Sequence, residues 1–79
     1  MHAQGTLRVF ATILGRGLDP PYVLVEDAKA NQFVVKQTVF EGNWDSLESG
    51  DVVELTTTNE PLCRVLRARL VTNARGPGR

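Results

Sequence analysis

Between residues 5 and 72 the chain holds five runs rich in β-branched, aliphatic and aromatic residues. Each is cut off by glycine, proline or a cluster of turn formers before it could extend as a long helix. That punctuation constrains the fold most. Several short strands separated by turns curl into a sandwich or barrel, and closure hides the strand edges that would otherwise pair with other chains. The chain has 79 residues, enough for one core and no second domain.

The first run covers residues 5–14 (GTLRVFATIL) and is expected to end at Gly15-Arg16-Gly17. Pro20-Pro21 then bars helix and holds an extended connection. The second run is residues 22–26 (YVLVE), and a turn over residues 27–31 leads to the third, residues 32–40 (QFVVKQTVF). Strict alternation there puts Phe33, Val35, Gln37 and Val39 on one face and Val34, Lys36, Thr38 and Phe40 on the other. Residues 41–50 read as a loop with one helical turn, capped by Asn43 or Asp45 and stopped by Gly50. The last two runs are residues 51–58 (DVVELTTT) and 64–72 (RVLRARLVT), separated by Asn59-Glu60-Pro61. Leu, Arg and Ala in the last run also suit a helix, but its alternation favours a strand. The expected core comprises Leu7, Ile13, Val23, Val25, Val34, Val52, Leu55, Val65 and Ala68, with Phe40.

The resulting architecture is one all-β domain over residues 5–72, a small five-stranded antiparallel barrel. Residues 1–4 read as a flexible N-terminus and residues 73–79 as a disordered basic tail.

Nine basic and nine acidic residues give a formal net charge of zero, so the chain lacks the overall positive field of a dedicated nucleic-acid binder. The charges are segregated, however. Residues 41–60 hold six acids and no lysine or arginine, whereas residues 63–79 hold five arginines and no acid. The single cysteine, Cys63, cannot form an internal disulfide and reads as a small packed residue. With no signal-peptide pattern and no apolar run of ~20 residues, a cytoplasmic protein away from membranes is expected.

The order and spacing of these motifs resemble the bacterial cold-shock domain, an OB-type barrel. Gly5-Thr6-Leu7-Arg8-Val9-Phe10 has the form of that family's first strand, and Tyr22-Val23-Leu24-Val25 looks like its second. Phe33-Val34-Val35-Lys36 occupies the place of its third strand motif. The stretch from Trp44 through Leu47, Gly50 and Val53 to Leu55 resembles the segment leading into its fourth. The resemblance implies weak, sequence-tolerant binding of single-stranded RNA or DNA. Phe10, Tyr22, Phe33 and Trp44 would supply stacking rings, and Arg8, Lys36 and Arg67 would supply charge. At Val9, Leu24, Val35 and Lys36 the family's rings are replaced, and Val23 stands where it has a glycine. Those replacements, with zero net charge, point to an alternative: a protein-interaction or self-associating barrel, with a protein partner or a second copy in place of nucleic acid.

No enzyme is expected. His2 is the only histidine, so neither a zinc-ligand spacing nor a catalytic triad can be assembled, and neither a metal nor another cofactor is expected. Gly15-Arg16-Gly17 is followed by prolines rather than a helix, which rules out a phosphate loop.

Overall fold

The architecture is that of a computed structural model describing residues 5–58 and 64–72. The terminal residues 1–4, the separator Asn59-Glu60-Pro61, Cys63 and the tail 73–79 lie outside the described residues.

Six strands form one curled, half-barrel sheet: β1 (Thr6–Leu18), β2 (Pro21–Asp27), β3 (Gln32–Lys36), β4 (Phe40–Glu41), β5 (Val52–Thr58) and β6 (Val65–Thr72). Their order is β3-β2-β1-β5-β6-β4. Every pairing is antiparallel except β4 with β6, which is parallel. The sheet is therefore six-stranded and mixed, rather than five-stranded and antiparallel.

Two runs depart from expectation, and the second departure adds the sixth strand with its parallel pairing. β1 does not stop at Gly15 but runs on to Leu18, with Leu14 as an extra residue between the Ile13–Val25 and Gly15–Leu24 pairs. Such a bulge bends a strand and re-aims its faces. Gly17 then lies directly beneath the Tyr22 ring, where any Cβ would collide with it. The third run is also interrupted, by a 3-10 turn over Gln37–Val39. Unbroken alternation would place Gln37 beside Val35 in the core and Phe40 outside. The turn leaves Gln37 exposed and lets both Val39 and Phe40 pack on the core.

The core sits inside the curl: Ala11 and Ile13 from β1, Val23 and Val25 from β2, Val35 from β3, Val53 and Leu55 from β5, and Ala68 from β6, with Trp44 and Leu47 from the loop. Leu7 and Val34, expected in the core, are instead 43% and 51% exposed. Val34 pairs with Leu24 on the convex face, and Leu7 lies near the end of β1. Val52 and Val65 are half-buried.

The β2–β3 turn is locked by Asp27, whose carboxylate accepts from the backbone N–H groups of Lys29 and Asn31, both at 2.9 Å. The backbone hydrogen bond from Asn31 chiefly holds the Asp27 carboxyl below its ordinary range, aided by the Asn31 side chain and by Lys29. The loop before β5 carries a second 3-10 turn, Trp44–Ser46, capped as expected by Asn43, whose side-chain oxygen accepts from Asp45 N–H at 3.2 Å. Among the described residues no helix is long and apolar enough to cross a membrane.

Candidate functional site

On β1 the inward set is Val9, Ala11 and Ile13, so Arg8, Phe10 and Thr12 face outward. On β5 the inward set is Val53, Leu55 and Thr57, leaving Glu54 and Thr56 outward. Register then builds a two-row grid across three strands. One row is Phe10, Glu54 and Arg69; the other is Arg8, Thr56 and Arg67.

Glu54 stands between the arginines of both rows. Its Oε2 accepts from Arg8 Nε at 2.9 Å, while Arg69 brings Nε and Nη2 to Oε1, both at 2.7 Å. The carboxylate side chain is 9% exposed, although it lies on the outer face, whereas those of Arg8 and Arg69 are 73% and 65% exposed. The two guanidiniums thus cover the acid while their own side chains stay largely exposed. Arg67 lies 3.7 Å from Glu41 on β4, with both side chains more than half exposed. A shallow hollow of about 310 Å³ is lined by these arginines, Glu41, Glu54 and Thr56. Three cations against two acids leave the hollow one positive charge in excess, with planar donors suited to phosphate or carboxylate oxygens.

The seven residues singled out from sequence separate into three groups. Arg8, Phe10 and Arg67 share this face, and Phe10 is 55% exposed. Tyr22 and Lys36 are cross-strand partners on the outer side of β2 and β3, with the Tyr22 ring seated over Gly17. Phe33 lies on the inner side of β3, half-buried against the core. Trp44 is 9% exposed, with Phe40 edge-on at 5.8 Å between ring centroids. The Arg16 guanidinium sits 5.6 Å from the Trp44 ring centroid and donates to the carbonyls of Trp44 and Leu47 at 3.1 and 2.8 Å. Phe33 and Trp44 therefore do not form a single platform with Phe10.

The sequence reading named Arg8 and Arg67 but missed Glu54 as the acid that organises the arginines. Its signal was weak but present: a lone acid flanked by Val53 and Leu55, in a strand between two arginine-bearing strands. Among the described residues no group of three or more His, Cys, Asp or Glu side chains is placed to hold a metal. No protein-family model matches this chain, nor does any curated protein or solved structure.

Proposed function

We propose that this chain is an OB-type barrel of the cold-shock kind that binds single-stranded RNA or DNA weakly and with little sequence preference. Topology supports the barrel reading. β3 and β4 stand at opposite ends of the sheet order, yet only the turn Gln37–Val39 separates them in sequence. Counted as one bent strand, they join the two ends of the sheet into a ring of five, the strand count of an OB-fold.

The observation that carries the binding reading is the grid: Glu54 holds Arg8 and Arg69 outward beside an exposed Phe10, with Arg67 in the adjacent row. Arginine forks contact the backbone, and an exposed ring stacks a base for ~1–3 kcal/mol. Phe10 is the one ring of the proposed set on this face, so affinity is low and readout of sequence slight. Polarisation of a labelled oligonucleotide, with backbone amide shifts followed in parallel, tests the reading. Saturable binding that weakens with salt and shifts Arg8, Phe10, Arg67 and Arg69 supports it. Binding that is absent at low salt, or indifferent to salt, overturns it.

The second reading, a self-associating or protein-interaction module, is favoured by aliphatic exposure elsewhere. Leu14, Leu18 and Val34 are 43%, 79% and 51% exposed, and Val34 is paired with Leu24. Sedimentation that shows a strict monomer at high concentration removes its self-association form.

A further inference from the structure

The basic side chains of β6 continue beyond the grid. Val65 points inward and packs on the core, so simple alternation would turn Arg67 and Arg69 inward as well. A second bulge prevents this: Val65 pairs with Thr57 and Arg67 with Thr56, leaving Leu66 as the extra residue. The faces exchange at that point. Ala68 becomes the buried residue, and Leu66, Arg67 and Arg69 are exposed. Arg64, just before the strand, is also exposed, and its backbone is fixed by Thr58. Arg64 N–H donates to Thr58 Oγ1 at 2.8 Å, and its carbonyl accepts from Thr58 N–H at 2.9 Å. A bulge that re-aims side chains thus produces a row of three arginines with an exposed leucine between them.

At its far end this row meets a groove between β6 and the end of β3. The groove, about 460 Å³, is lined by Val34, Lys36, Thr38, Val39, Arg64 and Val65. It carries two cations and no acid, beside three valines. Lys36 and Arg64 have no ion-pair partner among the described residues, whereas Arg8 and Arg69 share Glu54 and Arg67 has Glu41. Among the described residues, the least compensated positive charge along β6 therefore lies in this groove.

We infer that a bound single strand runs along β6, from the Arg8–Arg69 grid past Arg67 and Leu66, and ends with a phosphate held by Lys36 and Arg64. The valines of the groove receive the adjoining base or sugar. From Arg64 to Arg69 the path is about 16 Å at the usual strand rise. This rests on the nucleic-acid reading proposed above and adds a course and an anchor to it.

The test uses an oligonucleotide of about eight residues, within the ~4–16 nucleotides that one OB fold covers. Its affinity is measured between roughly 50 and 200 mM salt for the unaltered protein and for Lys36→Ala, Arg64→Ala and Lys29→Ala. Lys29→Ala removes the same charge from the exposed β2–β3 turn. Removing one cation that touches a phosphate flattens the slope of log affinity against log salt by ~0.7, so the unaltered protein loses ~2.6-fold more affinity over that salt range. Flattening by Lys36→Ala and Arg64→Ala but not by Lys29→Ala supports the path, as do amide shifts at Val39 and Val65 of the unaltered protein on titration. If the protein binds but all three variants behave alike and those amides stay still, the path is wrong while the binding reading stands. If the unaltered protein does not bind at all, the binding reading itself fails.

Discussion

Replacing Glu54 by glutamine should lower stability and raise affinity for nucleic acid in the same molecule. Glu54 is almost covered, and it accepts from Arg8 Nε at 2.9 Å and from Arg69 Nε at 2.7 Å. Charge-assisted hydrogen bonds of this kind contribute ~1.5–3 kcal/mol each. Both arginine side chains are about two-thirds or more exposed, so solvent rehydrates them when the acid is lost, which discounts that figure heavily. Glutamine keeps one acceptor for Arg69 but turns either an amide N–H₂ or nothing useful toward Arg8. A net loss of ~1–2 kcal/mol follows, or roughly 4–16 °C in Tm for a domain of this length. Trp44 is the only tryptophan and is packed in the core, so its emission reports the melt. Meanwhile the hollow goes from one excess positive charge to two. Affinity for an oligonucleotide at low salt should therefore rise, and its salt dependence should steepen by as much as ~0.7 per released arginine. An unchanged Tm would show that Glu54 does not hold the two arginines. A lowered Tm with weaker binding would show that Glu54 orients the arginines for a ligand rather than competing with it.

Two further outcomes test the scaffold. Thr57 is 1% exposed, and its hydroxyl has no hydrogen-bond partner among the described residues, a situation that costs ~1–3 kcal/mol. Thr57→Val should then raise Tm by ~4–8 °C for each kcal/mol recovered, and a lowered Tm would show that the hydroxyl is satisfied in solution. Asp27 has a lowered carboxyl pKa in the folded state, so its turn contributes stability above its unfolded value, and that contribution is lost as pH falls through the lowered folded value. Asp27→Asn should reduce stability at neutral pH, and the difference from the unaltered protein should shrink below about pH 4. Denaturant melts at both pH values check this, and a difference that holds constant with pH would contradict it.

The strands were legible because Val, Ile, Thr and aromatic residues fill them and turn formers end them. What the residues did not disclose was where pairing slips. Leu14 and Leu66 look like ordinary strand residues, yet each is the extra residue of a bulge, and bulges depend on both partners of a pair. The first lies inside β1, which runs on past Gly15, and the second turns Arg67 and Arg69 to solvent. Gln37 gave a local hint of the break in the third run, being a polar residue at a position that alternation assigned to the core. The dispersal of the aromatic residues has the same origin. Phe33 shares a parity with Val35 and so points inward, but only the register Tyr22–Lys36 and Val25–Phe33 reveals that Tyr22 and Phe33 lie on opposite sides of the sheet. Trp44 could be assigned to a loop from its neighbours. Its burial depends on Phe40 and Arg16 approaching from elsewhere in the chain.

Zero net charge is a poor guide to the field outside β6, because several acids are paired, covered or engaged locally. Glu54 is covered by Arg8 and Arg69, Asp51 is 2% exposed and accepts from Glu48 N–H at 2.9 Å, and Asp27 is engaged by its own turn. On the loop that carries Trp44, Asp45 and Glu48 are exposed, away from β6 in sequence, whereas exposed Glu41 lies beside it on β4. A ligand at β6 responds mainly to charges within a Debye length, ~8 Å at physiological salt, so Arg64, Arg67 and Lys36 count for more than the total. The same geometry limits affinity, since Glu54 and Glu41 lie within the arginine row and offset part of its charge. On the proposed reading, a face with few cations free for phosphate and one stacking ring would bind weakly, and its affinity would fall with salt by a slope of ~0.7 for each phosphate contact. That combination distinguishes a nucleic-acid surface from a hydrophobic docking face, which salt would not weaken.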